Sequence, residues 1–93
     1  MTMRKFVIER DIPAVGSLSP KELCGAAQTS NAALAKLGSD IQWVESFAAQ
    51  DKTFCIYLAK DEDVIKRHAE ISGFPANIIT EIKGMFDPTT AKV

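Results

Sequence analysis

The chain has 93 residues, of which 46% are hydrophobic and 25% are charged, with a formal net charge of -1. This is the composition of an average globular domain, so it argues against disorder and against a coiled coil. With a pI of about 5.7, the chain offers no basic surface, and we expect neither nucleic acid nor membrane as a partner. The length leaves room for one hydrophobic core, which predicts a single domain over residues 1–93.

The first predicted element is a strand over residues 4–12. Side chains alternate there with a period of two, which puts Phe6, Ile8 and Arg10 on one face and Glu9 on the other. Strong alternation of this kind is typical of a strand that lies in a sheet with two different faces.

A helix follows the first strand. Ser19 is suited to cap its N-terminus, Pro20 to occupy its first position and Glu22 to complete a capping box. The helix is predicted to run to about Leu37, and its polar middle, residues 28–31, needs tertiary packing to be stable. A buried stripe is expected at Leu23, Ala27, Leu34 and Leu37.

The second half of the chain predicts two strands, a helix and a last strand. Residues 41–49 and 53–59 are rich in β-forming side chains and are joined by a three-residue polar connection, which indicates an antiparallel hairpin. Asp61 is suited to cap a second helix that ends at Gly73. Residues 78–86 are the predicted last strand.

The predicted order βαββαβ is that of an α+β, ferredoxin-like sandwich. We expect a four-stranded antiparallel sheet of order 4-1-3-2 with both helices on one face. The core is expected over residues 4–86, followed by a short tail, residues 87–93. Because the second sheet face is also apolar in this short chain, we expect a two-fold homodimer, a dimeric α/β barrel, that buries it.

The two cysteines, Cys24 and Cys55, lie far apart and lack the spacing of a metal motif. Free thiols suit a reducing compartment. No run of ~18 apolar residues indicates a membrane span, and the first residues lack the pattern of a signal peptide. We therefore expect a cytoplasmic protein. There is also no glycine-rich phosphate loop and no Cys-x-x-Cys of a metal chaperone.

Several side chains that could bind a ligand or take part in catalysis fall on the predicted strands and the second helix, although none forms a motif by itself. They are Glu9, Arg10, Trp43, Glu45, Cys55, Tyr57 and His68. If Glu9 and Cys55 face the helices, they meet His68 in one layer. If Phe6 and Phe54 face the helices instead, Glu9, Cys55 and Tyr57 line the open sheet face and are separated from His68. Alternation within each strand leaves both arrangements open.

His68 is the only histidine and belongs to the sheet-facing stripe of the second helix. In a structural role it would be buried, with a ring nitrogen donating to a backbone carbonyl or a carboxylate. In a functional role it would reach a cavity near Cys55 or Glu9. We favour the structural role because the stripe around it is apolar.

Nearly the whole chain resembles a family of small bacterial proteins similar to a nickel-binding protein and described as a domain of unknown function. The resemblance is carried by His68 and by five stretches: VIERDIP at 7–13, IQWV at 41–44, DKTFCIY at 51–57, GFPA at 73–76 and DPTTA at 87–91. It implies a ferredoxin-like protomer in a dimeric barrel, with nickel binding in the named branch.

The resemblance also implies the site residues. Cys55 and His68 match the family's Cys and His, whereas Glu9 and Ser72 stand where the nickel-binding branch has further histidines. A metal, nickel in that branch, would therefore be held here by Glu9, Cys55 and His68, a mixed N/O/S set.

A small molecule would instead be bound by Arg10, Trp43 and Tyr57. The function we expect is a small dimeric ligand-binding or metal-binding protein. The alternative is a dimeric-barrel enzyme such as a small-molecule monooxygenase, by analogy of fold.

Overall fold

The structure is a computed structural model that describes residues 2–92. Met1 and Val93, the two ends of the predicted domain, lie outside the described residues. The strands and helices are β1 (Arg4–Asp11), α1 (Pro20–Leu37), β2 (Ile41–Ala48), β3 (Lys52–Ala59), α2 (Glu62–Ser72) and β4 (Ile78–Ile82). Short 3-10 turns lie at Val15–Ser17, Gly38–Asp40 and Pro88–Lys92.

The four strands form one antiparallel sheet in the order β2-β3-β1-β4. The hydrophobic core lies between one face of this sheet and the two helices. Its buried members are Phe6, Ile8, Ile41, Cys55, Tyr57, Ala59, Val64 and Ile65, and Leu34 and Leu37 of α1 pack against them. The predicted α+β, ferredoxin-like fold and its strand order are therefore confirmed.

The register between β1 and β3 decides which side chains share a face. Ile8 lies opposite Cys55, and Glu9 lies opposite Phe54. Ile8 and Cys55 are therefore on the helix-covered face, whereas Glu9 and Phe54 are on the open face. Both arrangements expected from the sequence placed Glu9 and Cys55 on one face, and both are wrong. Even-numbered residues of β1 pair with odd-numbered residues of β3, a relation that alternation within one strand does not specify.

Both helices have the predicted ends. The Ser19 hydroxyl accepts from the Glu22 backbone N–H, and the Glu22 carboxylate accepts from the Ser19 N–H, which completes the capping box of α1. Asp61 caps α2 through the Val64 N–H. Gly73 ends α2 with a φ of 81°, a left-handed conformation that favours glycine.

The predicted stripe of α1 is correct only in its second half. Leu34 and Leu37 pack on the core, but Leu23 is 44% exposed, and Ser30 and Ala33 are the buried residues of this helix. The first half of α1 lies over a cavity, described below, and for this reason Leu23 does not reach the packed core.

The last strand is shorter than predicted. β4 ends at Ile82, which pairs with Lys5, and β1 itself begins at Arg4. Beyond Ile82, residues 83–92 pair with no strand of the described chain, and Met85 and Phe86 are 76% and 84% exposed. Within residues 2–92, no helix combines the length and the apolar character needed to cross a membrane.

Candidate functional site

A cavity of about 430 Å³ lies on the helix-covered side of the sheet, beneath the first half of α1. Its position follows from the fold: α1 contacts β2, whereas α2 covers β3, and the connection between β1 and α1 closes one side. The apolar part of its wall is formed mainly by Val15, Leu18, Leu23, Ala27, Trp43 and Phe74. An apolar enclosure of this size is suited to a small organic molecule.

Polar side chains from three elements line the same cavity. Arg10 comes from β1, Ser30 from α1, and Thr53, Cys55 and Tyr57 from β3. The three β3 residues alternate along the strand, so all of them point to the helix-covered face. The cavity therefore combines apolar walls with a set of polar side chains, most of which come from the two central strands.

Arg10 is the most unusual of these residues because it is charged and only 2% exposed. One guanidinium nitrogen, Nη1, donates to the Pro75 carbonyl oxygen at 2.7 Å. The other terminal nitrogen, Nη2, is buried and has no hydrogen-bond partner among residues 2–92. The guanidinium carbon also lies 5.9 Å from the centre of the Tyr57 ring, a cation–π distance.

Tyr57 and His68 form a buried aromatic pair next to this cavity. Their ring centroids are 5.3 Å apart with an interplanar angle of 56°. Burial raises the pKa of Tyr57, an effect that Ser30 and Arg10 oppose. Burial first, and then the nearby Arg10 charge, lower the pKa of His68 to about 4. Both side chains are therefore neutral at physiological pH.

His68 is fully buried, as its structural role predicts. Its Nε2 lies 3.1 Å from the Ser30 hydroxyl oxygen, and its Nδ1 has no partner among the described residues. The closest partner is thus a serine hydroxyl, whereas we expected a backbone carbonyl or a carboxylate; the Ser30 backbone also lies near the ring and opposes the fall in the pKa of His68.

Trp43 is positioned by an irregularity in β2. Trp43 lies opposite Tyr57, Glu45 lies opposite Ile56, and Val44 between them is an extra residue without a partner. This β-bulge keeps Trp43 on the helix-covered face and brings the next cavity-lining residue, Ser46, to the same face. The indole Nε1 donates to the Ser46 hydroxyl at 2.9 Å, which fixes the ring in the wall.

A second depression, of about 540 Å³, lies between the β1–α1 connection and the β2–β3 hairpin. Small and polar side chains line it, among them Ala14, Ser17, Ala49 and Asp51. All of these residues are exposed, and no buried charged group is among them. The cavity beneath α1 is therefore the better candidate.

Comparison with known proteins identifies the family of the chain. A family model described as "Nickel responsive protein SCO4226-like" matches residues 6–82. The chain belongs to the SCO4226-like family. This membership confirms the resemblance found in the sequence.

The crystal structure of SCO4226 from Streptomyces coelicolor A3(2) superimposes with a TM-score of 0.72 at 16% identity, covering 88% of this chain and 99% of that one. At this identity the likeness establishes the fold that the chain shares with SCO4226. No curated protein matches the chain at a significant level.

In this SCO4226-like chain, the three residues predicted to bind a small molecule come together. Arg10, Trp43 and Tyr57 all line the cavity beneath α1, although they come from three different strands. Cys55, predicted as a metal ligand, lines it too.

The three predicted metal ligands do not converge. Cys55 and His68 lie on the helix-covered side, but Glu9 lies on the open face, where its carboxylate is 3.3 Å from Lys52 Nζ. Within residues 2–92, no group of three or more His, Cys, Asp and Glu side chains is arranged to hold a metal ion. The described residues therefore do not fit a complete nickel site.

Two parts of the cavity were not anticipated from the sequence. Ser30 lines it and holds His68, and Val15 and Leu18 of the β1–α1 connection close one side. A signal for Ser30 was present, since the polar middle of α1 depends on packing, but it did not identify which of the four polar residues is buried. The connection carries no periodic pattern that would assign its side chains to a wall.

Proposed function

We propose that this SCO4226-like protein binds a small organic molecule in the cavity beneath α1. The observation that carries the proposal is the cavity itself, about 430 Å³ with apolar walls and a set of converging polar groups. This volume lies in the lower part of the range of small-molecule sites, roughly 300–1,000 Å³. The bound molecule would contact Trp43 and Tyr57 directly.

The experiment uses the only tryptophan of the chain, Trp43, as a reporter, because it lines the cavity. Titration with the neutral fluorescent probe N-phenyl-1-naphthylamine should change Trp43 emission in a saturable way. Ala27→Phe, which fills the cavity from α1, should abolish this change. Ala35→Phe is the matched control, since Ala35 is exposed on the same helix and does not line the cavity. Equal binding by both variants would refute the proposal.

A dimeric-barrel monooxygenase or another small-molecule enzyme is the alternative use of the same cavity. It is favoured by Tyr57, a buried titratable group with a raised pKa in the cavity wall. The fate of a bound molecule distinguishes the binding protein from the enzyme. A binding protein returns it unchanged, whereas an oxygenase consumes O₂ in proportion to product formed.

Association with nickel is a second proposal, supported by the family, whose description is nickel responsive. It is also supported by His68 Nδ1, which has no partner among the described residues, and by Cys55 on the same side of the sheet. Because Glu9 lies on the other face and His68 is fully buried, the side chains around His68 would have to rearrange to admit the ion and its further ligands. Elemental analysis of untagged protein, and the melting temperature of wild type and His68→Ala with and without Ni²⁺, test this proposal.

We also propose that the protein works as a homodimer, a dimeric α/β barrel, that buries the open face of the sheet. The support is the apolar character of that face in an isolated protomer. It carries Val7, Phe47, Phe54, Ile56, Leu58 and Ile78, of which Phe47 and Ile78 are 55% and 48% exposed. An uncovered patch of this kind is unusual for a monomer.

We also propose that the protein is cytoplasmic. The support is the presence of two free thiols, exposed Cys24 and buried Cys55. A reducing compartment keeps such thiols unpaired.

A further inference from the structure

The charge of Arg10 has no counter-charge in the described part of the protein. No Asp or Glu carboxylate among residues 2–92 lies within salt-bridge distance of it, and Nη2 has no acceptor. Its one hydrogen bond goes to a neutral carbonyl, that of Pro75. A buried charge normally requires a paired charge and several hydrogen bonds, because leaving water is costly.

Other cationic side chains of the chain are paired with carboxylates, although their exposure to water makes a counter-charge less necessary. Arg4 pairs with Glu81 and Lys52 pairs with Glu9, and both cations are more than a third exposed. Arg10 is the one Lys or Arg that is buried among the described residues. The fold thus supplies carboxylates to cations that water already solvates and none to the cation in the cavity wall.

The residues around Arg10 define the charge of its missing partner. No other Lys or Arg of the described residues lines the cavity, so the site carries one positive charge. A carboxylate carries one negative charge and matches a guanidinium geometrically, whereas a phosphate carries nearly two. The neutral hydroxyl group of Tyr57 lines the same cavity and offers a further donor to an oxygen anion.

The remaining wall defines the body of the ligand. Val15, Leu18, Leu23, Trp43 and Phe74 present aliphatic and aromatic surface and no charge. Such walls favour a ring or a short acyl chain over a sugar or a polar chain.

We infer that the cavity binds a small monocarboxylic acid with an apolar body, and that Arg10 is the partner of its carboxylate. This inference rests on the proposed function and specifies its ligand class. Arg10 then gains its counter-charge only when the ligand is present, so binding relieves the cost of the buried charge.

The experiment compares acids with their amides, which have nearly the same shape but no charge. Phenylacetate with phenylacetamide represents a ring-bearing body, and octanoate with octanamide represents an acyl chain. Binding is followed by Trp43 emission and by calorimetry. We expect one of the two acids to bind wild type at least tenfold more tightly than its amide, as a charge-assisted hydrogen bond to a buried guanidinium would give.

Two variants test the role of Arg10. Arg10→Met should lose the preference for the acid while retaining the amide, and Lys66→Met, which removes an exposed cation of α2 that does not line the cavity, should keep the preference. Circular dichroism checks that both variants are folded, and the acid-to-amide ratio in wild type needs no variant at all.

The outcomes separate the two proposals. If N-phenyl-1-naphthylamine binds but neither acid is preferred over its amide, or if the preference survives in Arg10→Met, the carboxylate inference fails and the proposed function stands. If neither that probe nor any acid or amide alters Trp43 emission, both fail.

Discussion

The hydroxyl oxygen of Ser30 lies 3.1 Å from Nε2 of His68, and this hydrogen bond joins the middle of α1 to α2 inside the protein. Both side chains are buried, at 5% and 0% exposure. A polar residue in the centre of a helix is thereby accounted for, since the Ser30 hydroxyl and Nε2 of His68 satisfy each other where both side chains are buried.

Removal of the Ser30 hydroxyl should destabilise the protein. Ser30→Ala would remove the hydroxyl that bonds to Nε2 of His68 in a buried site, and we expect the free energy of unfolding to fall by about 1–3 kcal/mol. Urea denaturation measures it. Thr29→Ala is the control, because that exposed hydroxyl bonds only to its own helix at Gly25, and it should cost less than about 0.5 kcal/mol. Equal losses in the two variants would contradict this account.

The stability of the protein should depend on pH through His68. Its pKa is about 4 in the folded state and near 6.5 when unfolded, so between these values the unfolded chain binds the additional proton. The stabilisation is complete above about pH 6.5 and decreases as the pH falls, by roughly 3 kcal/mol at pH 4. His68→Gln should show a flatter profile over this window by chemical denaturation. Parallel profiles would show that His68 does not titrate in this way.

Replacement of Arg10 by a neutral side chain of similar length should not harm the protein without ligand. Arg10→Met removes a buried charge that has no counter-ion, and Pro75, its hydrogen-bond partner, is exposed and can bond to water. We expect the free energy of unfolding to stay the same or rise by about 1–2 kcal/mol. Lys66→Met, at an exposed position of α2, should change it little. A loss of several kcal/mol in Arg10→Met would mean that its existing contacts are stabilising in their own right.

Gly16 should be intolerant of any side chain. A Cβ at this position would collide with the carbonyl oxygen of Ala49 and lie 3.0 Å from Cα of Gln50. Both obstacles are backbone atoms, so Gly16→Ala should cost about 1–3 kcal/mol and separate the β1–α1 connection from the hairpin. Gly25→Ala is the matched control. Apart from its chain neighbours and the backbone of its own helix, no atom lies within 4 Å of its Cβ position, and helix propensity should make it stabilising by about 0.5–1 kcal/mol.

The oligomeric state should respond to the open face of the sheet. Light scattering at micromolar concentration should give twice the monomer mass for wild type. Phe47→Asp, which introduces a charge on the open face, should shift the protein to monomer because a desolvated charge is costly at an interface. Ile71→Asp, on an exposed position of α2, should remain dimeric. A monodisperse wild-type monomer would refute the dimer.

Local signals predicted the elements well. Ser19 and Glu22 identify a helix start from four residues of sequence, and the structure contains that capping box. What local signals did not give is the relation between elements. Glu9 and Cys55 lie on strands separated by a long crossover, and the register between such strands depends on packing throughout the domain.

The candidate site was predictable to a similar extent. Arg10, Trp43 and Tyr57 could be selected as chemically capable residues, and the fold brings them to one cavity. Ser30 could not, because burial of one polar helix residue among four depends on the rotation of α1 over the sheet. The end of β4 at Ile82 depends in the same way on where its partner strand begins.

Val44, the extra residue of β2, also determines where a residue can be inserted or deleted in this strand during evolution. If β2 kept regular alternation after Trp43, Glu45 would lie opposite Cys55 and bring a carboxylate to the side of Arg10. Losing Val44 itself would leave every later residue opposite its present partner. A one-codon insertion or deletion between Glu45 and Ala48 would instead exchange the two faces at that end of the strand. Length variation among homologues should therefore be tolerated at Val44 and selected against in the four positions that follow.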